Sequence, residues 1–203
     1  MQDWDAEDNA QALPTLNHWH ERGGLIGRGV LIDFNAYADA KGIAFDPYSR
    51  HKITITGIEE VARSQAVTFK QGDIFILHTG YTEELESSSA ERQEDLSSHQ
   101  TWAGMESIKE AARWFWDKGF AAVASDNIGF EAEVADGNPP CEPLPLLYPY
   151  FLSLFGMCIG ELWDLKALSK HCARTKRYSF LLASIPLNVP GAVGFPPNVL
   201  AIF

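Results

Sequence analysis

The longest apolar stretch, LPLLYPYFLSLFGMCIGELWDLKAL at residues 144–168, constrains the fold most. A run of this length has to be buried. Pro145, Pro149, Gly156 and Gly160 interrupt it and Glu161 closes its most apolar part, so it is a poor membrane span. It is therefore expected to form core, delivering Glu161 to the edge of that core. It also contains Gly156-Met157-Cys158-Ile159-Gly160, the spacing of small residues that a strand-to-helix nucleophile turn needs. A helix N-terminus would lower the Cys158 pKa. A triad needs an acid and then a His further along, however, and the one later His is His171, on the helix expected from Glu161. At about 1.5 Å per residue it lies too far along that helix to reach Cys158. Cys158 reads better as a small buried hydrophobe.

With 203 residues the chain is long enough for one domain with a real core. Its formal charge of −11 argues against nucleic acid or an anionic membrane surface as partner. Cys141, Cys158 and Cys172 are odd in number and lack CxxC spacing, which favours a reducing, cytoplasmic setting over a disulfide framework. The opening MQDWDAEDNAQ has neither a basic nor an apolar leader pattern. Residues 1–17 are expected to be frayed and residues 18–203 to form the domain.

Along the chain, residues 29–32 read as a short strand ending at Asp33. Gly27-Arg28-Gly29 precedes that strand, whereas a dinucleotide loop follows one, so a nucleotide site is rejected. Residues 35–42 suggest a helical turn closed by Gly42, and Thr56 with Glu59 suggests a capping box for a helix burying Ile58, Val61 and Ala62. The turn Gln71-Gly72-Asp73 feeds a buried strand at 74–77. Residues 83–100 read as a solvated loop or exposed helix, and residues 107–118 as a helix stopped by Gly119. Strands follow at 120–124, 178–185 and 199–203. A helix from Glu161 to Ala173 with Leu162, Leu165 and Leu168 inward separates the first two of these. The class is α/β with a mixed sheet.

His18 and His20 form an HxH pair beside Glu21, able to ligate metal if extended but expected to be solvated in a loop. His78 directly follows a buried strand, a common place for a site residue. His51, His99 and His171 read as surface residues. Asp33, Asp126 and Glu161 each end an apolar run, where an acid serves as a cap or as a binding group.

Taken together, GGLIGRGVLIDF, QGDIFILHTGYTEEL, WAGMESIKEAARWFWDKGFAAVASDNIGFEA, YPYFLSLFGMCIGELWDLKAL and SFLLASIPLNVPGAVGFPPNVLAIF resemble, in this order, the cyclase family. This is the kynurenine formamidase-like group of metal-dependent amide, ester and lactone hydrolases, and the likeness is to its fungal-type members. It runs from about Trp19 to Phe203. The resemblance implies a swivelling β/β/α single domain, a divalent metal (zinc or manganese) and a small-molecule substrate. It assigns Glu161 to the metal and places Asp126 and Glu131 at the substrate pocket, to which His78 is added from its place at a strand end. In such a site the metal lowers the pKa of a bound water that opens the amide or lactone.

The family's HxGTHxDxPxH-like ligand motif has no counterpart ahead of GRGVLIDF here, and Tyr148 stands where the partner His is expected. The expectation is an N-terminally shortened member. Either it is a metal-dependent hydrolase, or it is a non-catalytic paralogue acting as a binding or oligomer-partner protein. A Cys158 hydrolase is the third possibility. Shortening would leave sheet edges and apolar surface exposed and favour a homo-oligomer.

Overall fold

The computed structural model describes residues 15–99, 101–133, 147–196 and 198–203. The sheet is organised by β1 (Leu25–Asp33). Its first half pairs antiparallel with β7 (Ser179–Ser184), and its second half pairs parallel with β3 (Ile74–His78). The strand therefore starts earlier than residue 29, because the β7 partner continues to Leu25. Beyond β3 lie β5 (Ala122–Ser125) and β6 (Cys158–Gly160), both parallel; beyond β7 lies β8 (Val199–Ile202), antiparallel. The order is β6-β5-β3-β1-β7-β8, a mixed sheet in one α/β domain, as expected. A second, two-stranded sheet joins β2 (Lys52–Ile53) to β4 (Gly104–Met105).

Alternation along the strands divides the core. Val30, Ile32, Phe75, Leu77 and Val123 point to one face. There they meet α2 (Phe34–Lys41), α3 (Ile55–Ser64), α6 (Lys109–Lys118) and the π-helical turn Pro149–Leu154. Leu31, Ile74, Ile76, Ala122 and Ala124 point to the other, where α7 (Lys166–Thr175) contributes Cys172, with Leu165 just ahead of it. Short α1 (Leu16–Glu21), α4 (Tyr81–Ser87) and α5 (Ala90–His99) complete the described elements. Among the described residues no helix is long and apolar enough to cross a membrane.

Several local signals read correctly. Gly42 and Gly119 are left-handed helix stops (φ 65° and 68°). Ile58, Val61 and Ala62 are buried on α3, and residues 83–100 are largely helical.

Others need correction. The α3 cap is Thr54, whose hydroxyl accepts from the Gly57 N–H at 3.1 Å; pairing of β2 ends at Ile53, so the helix begins before Thr56. His18 and His20 lie on a helix, which sets residues two apart on different sides, so the pair does not form a two-ligand face. His51 is packed against the rings of Phe34 and Phe45 (5.7 and 5.2 Å) rather than standing free. The expected frayed terminus lies, through residue 14, outside the described residues, as do residues 134–146 with Cys141.

The apolar block is not uniformly buried. Leu147, Phe151, Met157 and Leu165 are core, while Leu152 and Leu154 are exposed. The helix expected from Glu161 begins only at Lys166. The Leu162 N–H donates to the Asn127 carbonyl (2.9 Å) and the Trp163 N–H to the Ser125 carbonyl (3.2 Å), which holds this stretch to the end of β5. Leu162 takes a left-handed φ of 54° and is 49% exposed instead of facing inward.

Candidate functional site

Strand register determines which polar residues meet. Asp33 is opposite His78, and Leu77 is opposite Ser125, so Asp33, His78 and Asp126 reach the same level at the carboxyl ends of three parallel strands. Ligands of open α/β sheets bind at such ends. Here the ends are closed over one another. The His78 ring Nδ1 is 2.8 Å from Asp33 Oδ1, and Ser169 on α7 donates to Asp33 Oδ2 at 2.6 Å. The Ala36 N–H caps α2 on the same carboxylate (3.0 Å). Asp126 accepts from the Thr79 N–H and hydroxyl (2.8 and 2.9 Å) and from the Gly80 N–H (2.7 Å). His78 Nε2 faces Glu83 at 3.4 Å and Asp126 at 3.9 Å, without the geometry of a hydrogen bond.

Burial alone would lower the His78 pKa, but the Asp33 hydrogen bond and the charges of Asp126, Asp33 and Glu83 outweigh it and hold it above the usual value. Burial would raise Asp33; its bonds to His78, Ser169 and Ala36 bring it below the ordinary carboxylate value instead. At Asp126 burial prevails over its partners and the pKa rises. With a side chain only 3% exposed, His78 has no open approach for a substrate. Asp33, Ser169 and Glu83 were not signalled as partners by the sequence, because register and the path of α7 bring them there.

Glu131 and Glu161 lie apart from this network and flank the start of the apolar block. Glu131 Oε2 accepts from the Leu147 N–H (2.6 Å) and from the Ser107 hydroxyl. The Tyr148 hydroxyl donates to Glu161 Oε1 and accepts from the Phe130 N–H (3.0 Å). Burial, then the Glu161 hydrogen bond, push the Tyr148 pKa up, so the phenol keeps its proton. Glu161 is half-buried and lines a cavity of about 450 Å³ on the α7 face of the sheet, together with Trp19, Cys158, Trp163 and Phe195.

Cys158 belongs to β6, not to a helix N-terminus, and burial pushes its thiol up to about 11, opposite to the need of a nucleophile. His171 packs on the Phe203 ring at 4.2 Å, away from this cavity. The implied zinc or manganese does not fit the described donors. Among the described residues no three His, Cys, Asp or Glu side chains are grouped to hold a metal, and Glu161 Oε1 is taken by a protonated phenol.

Residues 14–132, more than half of the chain, match the family model described as "Putative cyclase". No curated protein matches. A solved structure of a novel cyclase is 29% identical, with a TM-score of 0.73 over 93% of this chain and 56% of its own. This chain thus spans little more than half the length of that protein. Isatin hydrolase A from Ralstonia solanacearum shares the fold at 13% identity (TM-score 0.61, 97% of this chain and 66% of that one). So does a structure titled as a predicted metal-dependent hydrolase from Bacillus stearothermophilus, at 19% identity (TM-score 0.51, 86% and 62%). From the family match and the shared fold it follows that this chain belongs to the cyclase family.

Proposed function

We propose that this chain is a small-molecule-binding member of the cyclase family, that its site is the cavity beside Glu161, and that on its own it does not turn substrate over. The observation that supports this reading is the engagement of Glu161 by Tyr148 at the wall of an apolar cavity of about 450 Å³. That volume is in the range of small-molecule sites, which are mostly apolar with a few placed polar groups. In this reading Glu161 receives the ligand, while His78 through Nδ1, Asp126 and Glu131 are engaged within the protein and hold the neighbouring loops. The free thiols of Cys158 and Cys172 suit a reducing compartment such as the cytoplasm.

Family membership supports a second reading, a hydrolase that opens an amide, ester or lactone with a divalent metal. One experiment separates the two. The protein is purified with zinc or manganese, its metal content is measured, and N-formylkynurenine, isatin and simple lactones are offered. Binding without turnover and without stoichiometric metal is the expected result. Turnover with stoichiometric metal, lost in Glu161→Ala, would decide for the hydrolase.

A further inference from the structure

We propose that the Glu161 cavity selects small organic cations, an apolar ring-sized body carrying one protonated amine, over carboxylates of the same size. The proposal rests on the reading of this cavity as the binding site. Among the described residues Glu161 is the one charged side chain in the cavity wall, and no Lys, Arg or His lines it. An entering carboxylate would meet that negative charge with no cationic side chain among the described lining residues to offset it. An ammonium group would meet a partner.

The wall is also prepared for a donor. Tyr148 orients the Glu161 carboxylate by donating to Oε1, while Oε2 has no hydrogen-bond partner among the described residues. An N–H donor placed there forms a charge-assisted hydrogen bond. Trp19, Trp163 and Phe195 supply aromatic rings in the same wall, and such rings attract cations through their negative faces. The net charge of −11 raises the concentration of cations near the molecule and lowers that of anions.

The test is calorimetric titration of the full chain with three probes of one size: 2-phenylethylamine, 2-phenylethanol and phenylacetate. The amine is expected to bind at least about tenfold tighter than the alcohol, with the carboxylate weakest. Added salt should weaken the amine selectively. Glu161→Gln, checked for folding by its thermal transition, should bring the amine to the level of the alcohol and leave the alcohol unchanged. If that variant does not fold, the wild-type order of probes and its salt dependence decide. Equal binding of the three, a preference for the carboxylate, or an amine preference that survives Glu161→Gln overturns the proposal alone. Failure of all three probes to bind overturns the cavity reading as well.

Discussion

The two faces of the sheet are built from the same strands yet finished differently. On one, α2, α3, α6 and the π-helical turn close over Val30, Ile32, Phe75, Leu77 and Val123. Phe75 there meets the rings of Phe69, Trp114, Phe115, Phe120 and Phe130 with centroids 5.2–6.4 Å apart. On the other, α7 covers only part of the sheet. It leaves the Glu161 cavity on one side and a cavity of about 330 Å³ under Leu168, Phe180 and Val199 on the other. Ring packing of the first kind specifies one native arrangement. The second kind leaves room for a guest, at a cost in dispersion contacts. The ring-packed face therefore specifies the fold, and in the reading proposed above the α7 face carries the binding site.

Breaking the closed face should have the largest effect. Phe75→Ala removes a fully buried ring and is expected to cost about 3–5 kcal/mol, read from the denaturant midpoint. His78→Ala leaves the carboxylates of Asp33 and Asp126 buried without their counter-charge, with an expected loss of about 3–5 kcal/mol. The pH dependence gives a sharper test. His78 holds its proton more tightly in the fold than the free value of 6.5. Its contribution is therefore complete below that pH and fades as pH rises through the higher folded value. The thermal midpoint of the wild type should fall as pH rises above 6.5 through the folded value, and a folded His78→Asn variant should show a flatter profile.

A smaller effect is expected where Tyr148 joins the ring-packed face to the Glu161 cavity. Tyr148→Phe strands the Phe130 N–H and releases Glu161, for about 1–3 kcal/mol by chemical denaturation. The smallest is expected at Leu200, exposed on β8. Leu200→Ser should stay within about 0.5 kcal/mol. A larger loss, growing with protein concentration, would mean that a second copy covers this strand in solution.

What could be read from the sequence was what is local. Gly42 and Gly119 mark helix ends because a left-handed residue is needed at one position, whatever lies elsewhere. The strand read at 74–77 declares itself by four consecutive apolar residues, and the structure carries it on to His78. The family was legible for a related reason, since its blocks are contiguous. The company of His78 was not, because Asp33 and Asp126 are brought to it by register and Ser169 by the path of α7. The break after Gly160 was hidden as well. The helical spacing of Leu162, Leu165 and Leu168 is real, but two backbone hydrogen bonds to the end of β5 hold the first of these out of the helix.

The double pairing of β1 has a consequence for how the molecule is made. Its parallel partner β3 follows within a few dozen residues, whereas Ile26 must wait for Ala183, far later in the sequence. During synthesis the carboxyl half of the strand gains its neighbour early, while the amino half keeps an open edge until β7 has been made. Contacts of such long range slow folding, and an open edge in the meantime invites wrong pairing. Loss of β7 and β8 should therefore cost more than their size suggests, because β1 would then keep that edge permanently.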